Sequence, residues 1–243
     1  MLRVTTSWDD GDILDKRLSD LLEVYGIKGT FYIPKNYREE SISVEVIRNI
    51  SKVNEIGAHT TTHPDLRKIT PYEQKNEIEE NKKWLEEILN TKIKMFCYPS
   101  GFYNTSAIEA VKKAGFLGAR TTNLGSMISP SNPYLMGTTI QVYPFPFRKI
   151  NNKQYYWRKL LQPYMQRAPE LRKLGVSTLS MYSWLSMAKA TFDTALKNGE
   201  VFHLWGHSWE IEKYDMWDEL EKFLQYIRNR KNCSYLTNGE LLK

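Results

Sequence analysis

The sequence predicts an α/β protein built on a largely parallel sheet, and three observations carry that reading. Stretches rich in β-branched and apolar residues alternate with segments whose apolar residues recur at helical spacing, in the order strand, helix, strand, helix. The length, 243 residues, suits one large α/β domain. Polar clusters follow several of the expected strands, on the side where parallel sheets place their sites.

Residues 3–8, "RVTTSW", read as a first strand that stops at "DDGD". In residues 13–26 Ile13, Leu14, Leu18, Leu21 and Leu22 recur at helical spacing and Gly26 ends the run. "KGTFYIP" is a second strand. Residues 43–57 read as a helix with Ser43 as its cap and Gly57 as its stop. "AHTTTH" follows as a short strand or extended loop. Thr70 then Pro71 start the next helix well, because proline suits the first helical position. "KMFCYPSG" is a strand, "NTSAIEAVKKAG" a helix and "FLGARTT" a strand. The regular order lapses after Gly125. Residues 126–175 read as an irregular basic and aromatic insertion lying over one end of the sheet, with eight Lys/Arg and one acid between 148 and 173. A helix over 183–199, a strand with its terminal loop over 200–210, a helix over 213–230 and a short closing segment complete the chain.

Composition excludes several classes. The net charge of +6 is mild, and there is neither a long basic run nor a zinc-finger or RNP signature, so nucleic acid is not an expected partner. No run of apolar residues is long enough to span a membrane. The first residues, "MLRVTTSWDDGD", hold no apolar core of a signal peptide. Two cysteines are too few for a disulfide framework. The expected location is the cytoplasm, with peripheral association at a membrane surface left open.

The chemistry sits in short motifs. Asp9 and Asp10 are adjacent at a strand end, so one can ligate a metal while the other acts as a base; Asp-Gly is also a common turn pair. His59 and His63 are four apart, the spacing of a zincin helix. The intervening threonines are poor helix formers, and Pro64 biases His63 away from helical geometry. The pair reads as a strand end turning into a loop. Two histidines and a carboxylate make a zinc site with room for water, and Asp9 or Asp10 is the expected third ligand. Tyr98, Ser100, Arg120 and His207 all follow expected strands.

In order, "SWDDG", "HTTTHPDL" and "CYPS" (Cys97, Tyr98, Pro99, Ser100) resemble the motifs of the polysaccharide deacetylases, the NodB homology group or carbohydrate esterase family 4. The resemblance covers most of the chain as a single catalytic domain. It implies a distorted (β/α)7-type barrel and one divalent metal. By that mapping Asp10, His59 and His63 are the metal ligands and Asp9 is the catalytic base. Tyr98 and Ser100 belong to the substrate and oxyanion side, with Ser100 acting through its main-chain N–H. The third motif departs from the family: Cys97 stands where an arginine would hold the base. Arg120, at the next strand end, either supplies that charge or is a surface salt-bridge residue. "VFHLWGHSWE" offers His203 and His207 as the general acid. His207 is preferred because it follows a glycine at the strand end, and Glu210 is placed to orient it. Trp205 and Trp209 form an apolar wall.

The expected function is metal-dependent removal of an N-acetyl group from an amino sugar or glycan precursor, releasing acetate. The metal is expected to be Zn2+, with Co2+, Ni2+ or Fe2+ equally compatible with the ligand set. The basic insertion suits a phosphorylated substrate, and a lipid-linked precursor fits the expected location. The alternatives are hydrolysis of another non-peptide amide on the same fold and a non-catalytic carbohydrate-binding homologue.

Overall fold

The computed structural model describes residues 1–148 and 156–243. Among the described residues eight strands form one sheet: β1 (Leu2–Asp9), β2 (Gly29–Ile33), β3 (Glu55–Ala58), β4 (Met95–Cys97), β5 (Gly118–Arg120), β6 (Ile140–Gln141), β7 (Val201–Gly206) and β8 (Cys233–Leu236). Every pairing is parallel, in the order β5-β4-β3-β2-β1-β7-β6. One edge of β1 is shared, with Leu2 to Thr5 facing β8 and Thr6 to Asp9 facing β2. The helices are α1 (Asp15–Val24), α2 (Val44–Ile50), α3 (Pro71–Leu89), α4 (Thr105–Lys113), α5 (Tyr156–Lys173), α6 (Trp184–Asn198), α7 (Ser208–Lys213), α8 (Trp217–Ile227) and α9 (Asn238–Leu241).

The sheet curls, and one linking segment touches both of its edges. Met136 exchanges backbone hydrogen bonds with Ala119 and Thr121 beside β5, while Thr139 and Val142 donate to His203 and Trp205 of β7. The result is the distorted (β/α) barrel expected from the sequence. Side chains alternate across each strand. On β1, Val4 and Trp8 join the large core under the helices. Thr5 and Ser7 point to the opposite face, where Thr5 donates to Asn238 Oδ1 at 2.8 Å and Ser7 Oγ meets His203 Nε2 at 2.8 Å. Asp9 continues that inner row to the C-terminal end of the strand.

Three expectations change. β3 begins at Glu55, inside the stretch read as helix; its pairing with β2 overrides the helical pattern there. Residues 126–175 are not wholly irregular. β6 is too short for a periodic signal and exists through its bonds to β7. α5 spans 18 residues although it contains Pro163 and Pro169, each of which removes a helical hydrogen bond. It persists because Ala168 and Leu171 bury an apolar side against the core. Lys149 and Lys153 of the basic stretch lie outside the described residues. Third, residues 208–213, read as a terminal loop, form α7.

The turn after β4 depends on Gly101. Its φ is +72°, and a Cβ there would meet Thr122 Oγ1 at 2.0 Å. Gly101→Ala is expected to cost about 1–3 kcal/mol through strain and overpacking. Gly115→Ala, also at positive φ but with nothing within 4 Å, isolates the backbone contribution. Urea unfolding of the two variants checks the difference; equal losses would remove the steric argument.

No helix among the described residues is long and apolar enough to cross a membrane.

Candidate active site

The C-terminal ends of the strands open into a cleft of about 370 Å3 lined by Asp9, Asp10, His59, His63, Ser100, Trp205, His207 and Trp209, among others. Asp9 is the last residue of β1, and Asp10 leaves the strand at a φ of 82°. That left-handed step, uncommon for an aspartate, separates the two carboxylates. Asp9 stays in line with the inner row, and Asp10 swings toward the histidines.

His59 directly follows β3, and His63 closes a tight loop at a φ of 57°. The loop is held from α3, on residues one helical turn apart. Glu77 accepts from the backbone N–H groups of Thr61 and Thr62, each at 2.8 Å. Asn81 accepts from His59 N at 2.8 Å and donates to Ile33 O at 3.1 Å. Thr60 Oγ1 accepts from His63 N at 3.1 Å. The threonines therefore build a hydrogen-bonded loop rather than a helix.

Asp10 Oδ1 lies 3.7 Å from His59 Nε2 and 3.6 Å from His63 Nε2. These three ligand atoms all lie within 4.8 Å of one another. Two further observations fit a cation. Asp10 Oδ1 is buried with no hydrogen-bond partner, a costly state unless a positive charge meets it. His59 Nδ1 lies 2.8 Å from the Cys97 carbonyl, which makes Nδ1 the donor and leaves the Nε2 lone pair facing the cluster. Burial holds the His59 imidazole neutral, its pKa lowered to about 4, and the His63 charge acts in the same direction. Asp10 Oδ2 accepts from Trp209 Nε1 at 2.9 Å, and Tyr37 stacks on His63 at 4.1 Å.

The surroundings of Asp9 answer the question raised by Cys97. Cys97 and Arg120 are register partners on β4 and β5, so their side chains stand next to each other. The guanidinium of Arg120 is fully buried, and Nη2 donates to Asp9 Oδ1. The Cys97 thiol faces the other oxygen, Asp9 Oδ2, at 3.8 Å. The cation arrives from one strand over, and the short thiol leaves it room. Rings of Trp205 and Tyr32 lie 4.8 and 5.3 Å from the Arg120 guanidinium, which offsets part of its burial. Burial alone would raise the Asp9 pKa; the Arg120 charge and hydrogen bond outweigh it and hold the carboxyl below its ordinary value.

His207 caps the opposite wall. Its Nδ1 lies 2.5 Å from Glu210 Oε2, and its Nε2 is 3.9 Å from Asp10 Oδ2. Burial alone would lower the His207 pKa, but the Glu210 hydrogen bond and the Asp10 charge raise it to about 9. Gln141 Nε2 also donates to Glu210 Oε2, at 3.2 Å.

The structure therefore brings Asp9, Asp10, His59, His63, Ser100, Trp205 and His207 together around one cleft, with Arg120 buried behind Asp9. His203 is elsewhere: it is 1% exposed in the strand interior, bonded to Ser7. Tyr98 also departs from expectation. Its ring is buried against Phe96 and Tyr103 and its hydroxyl donates to Tyr134 O at 3.2 Å, because strand alternation turns it to the face opposite Cys97. Ser100 lines the cleft with a φ of 52°, presenting its main chain. Sequence reasoning missed Tyr37, Glu77, Asn81 and Gln141, and it held Arg167 only as one charge of the basic stretch 148–173. Only Asn81 left a signal, a polar residue at a buried position of α3.

The architecture and cleft together define a curled parallel (β/α) barrel with an Asp-His-His cluster at its strand ends. The polysaccharide deacetylase family model matches residues 3–119, and over those residues the chain is similar to that family. Among curated proteins, YxkH of Bacillus subtilis (strain 168), named after polysaccharide deacetylases, is 27% identical over 119 residues, which is 48% of this chain and 43% of YxkH. The match thus spans less than half of that relative's length. Among solved structures, the family 4 acetyl xylan esterase of Clostridium thermocellum with a cobalt ion is 15% identical with a TM-score of 0.59, over 98% of this chain and 89% of that one. Wild-type BA3943 of Bacillus anthracis, a CE4 family pseudoenzyme, is 13% identical with a TM-score of 0.57, over 99% of this chain and 65% of that one. At such identities the solved structures establish the shared fold alone.

Proposed function

We propose that the chain is a metal-dependent hydrolase that removes N-acetyl groups from an amino sugar or glycan precursor and releases acetate. The observation that carries this reading is the opposed pair around the metal cluster. A carboxylate held ionised by Arg120 faces an imidazole held protonated by Glu210, across Asp10, His59 and His63. A neutral carbohydrate-binding surface has no need of such a pair.

Asp10, His59 and His63 would hold one divalent ion, Zn2+ or a similar cation, which supplies Lewis acidity toward the acyl carbonyl and the attacking water. Asp9 takes the proton of that water as it attacks. The main-chain N–H near Ser100 donates to the developing oxyanion. His207 gives its proton to the departing amine, which is otherwise a poor leaving group. Glu210 keeps the imidazole oriented, and Trp205 and Trp209 wall the acetyl end of the cleft. Substrates bearing phosphate or a lipid link remain within this proposal.

Acetate release from a panel of N-acetylated sugars tests the activity. Dialysis against a chelator is expected to remove both bound metal and turnover, and Zn2+ or Co2+ to restore both. His63→Ala is expected to lower metal content measured directly. Full turnover in protein free of metal would overturn the metal assignment. Release of another product from a non-sugar amide would favour the related amide-hydrolase reading.

A further inference from the structure

Arg167 is a cation of the cleft that the proposed chemistry does not use. It lies on α5 and lines the same cleft as Asp9, Asp10 and His207. Nη2 donates to Gln141 Oε1 at 2.7 Å, while Nε is buried with no partner. No carboxylate pairs with it among the described residues. The nearest candidates are engaged: Glu210 with His207 and Gln141, and Glu170 with Lys173 at 2.8 Å. The guanidinium lies over the Tyr143 ring at 4.7 Å. Arg148 lies 5.9 Å from the same ring and is bonded to Gln162 at 2.8 Å and to the Tyr143 hydroxyl, and among the described residues no carboxylate pairs with it either.

Burial lowers the proton affinity of Arg167 below that of an ordinary arginine; Tyr143 and Glu210 oppose the shift and Arg148 adds to it. A half-buried guanidinium with a buried, unpartnered Nε and no paired anion carries a desolvation cost that an incoming anion offsets, through a donor fork that matches carboxylate and phosphate. Its position is close to the chemistry. Arg167 reaches His207 through Gln141 and Glu210, in three successive contacts of 2.7, 3.2 and 2.5 Å.

We propose that Arg167, with Arg148 beside it, forms an anion subsite that takes a carboxylate or phosphate on the acetamido sugar or its immediate neighbour. The substrate is then an acidic N-acetylated sugar. This inference rests on the deacetylase reading and narrows it.

The test uses the full chain with N-acetylglucosamine, its 1-phosphate and the corresponding uronic acid. Acetate release and calorimetric binding are followed for wild type, Arg167→Gln and Arg167→Lys. For wild type, tighter binding and higher kcat/KM are expected with an acidic sugar, and whether phosphate or carboxylate gains more identifies the anion. Arg167→Gln is expected to reduce the preference for the acidic over the neutral sugar by roughly tenfold to a hundredfold, the range for a charged hydrogen-bonded contact. Arg167→Lys should recover part of it. Equal losses on all three sugars would overturn the subsite and leave Arg167 as a positioning residue for Gln141. An unchanged preference, or no preference in wild type, would also overturn it. If no sugar releases acetate but Arg167→Gln still weakens binding of the acidic sugars alone, the subsite stands and the deacetylase reading fails.

Discussion

Asp9→Asn is expected to lower acetate release by roughly 100- to 10,000-fold, the span typical of a lost general base, while bound metal is retained. The amide is nearly isosteric with the carboxylate but cannot take a proton from water. Metal content should hold because Asp10, His59 and His63 are left intact and Asp10 is fixed separately by Trp209. The substitution also strips Arg120 of its anion. Removing one partner of a buried ion pair costs about 3–5 kcal/mol, so turnover and unfolding must be measured together at a temperature where the variant is folded. Wild-type rates in folded, metal-loaded Asp9→Asn would show that another group is the base.

Arg120→Met is expected to destabilise the fold by a similar amount, about 3–5 kcal/mol, because the Asp9 carboxylate, 3% exposed, is then buried without a cation. The thiol of Cys97 at 3.8 Å is a weak donor and cannot compensate. Turnover should fall as well, since the base loses both its orientation and its bias toward the ionised form. The double variant Asp9→Asn, Arg120→Met is the discriminating measurement. If the pair is coupled as its geometry requires, the double variant will be markedly more stable than the sum of the two single losses. Simple additivity in denaturant unfolding would mean that the pair contributes nothing as a pair.

Much of the site was legible because each ligand follows a strand in a local pattern. Asp9-Asp10-Gly11 and His59-x-x-x-His63 are contiguous motifs, and Pro64 with three threonines already argued against a helix. The role of His207 rested on a glycine at a strand end, and the cleft is where the structure places it. Tyr98 was misread because it neighbours Ser100 in sequence, whereas alternation along the strand sends it to the opposite face. Gln141 left no local signal, and Arg167 was legible only as one charge of the basic stretch 148–173. Their positions depend on a two-residue strand made by its neighbour and on a helix that contains Pro163 and Pro169.

The sequence by itself determined the parallel α/β framework, the His59 and His63 pair and the adjacent carboxylates Asp9 and Asp10; only the family resemblance chose Asp10 as the third ligand. The framework and the separate motifs follow from periodicity and from patterns a few residues long. Tertiary structure alone decided between the two readings of Arg120, which is buried against Asp9. No spacing in the chain relates Cys97 to Arg120, but parallel register sets them side by side, and the curl of the sheet carries Arg120 across to Asp9. The same long-range packing brings α5 to the cleft and places Arg167 in the same lining as His207. Long-range contacts of this kind are set by strand register and by which helix face the core can bury, and neither is a property of any short stretch of sequence.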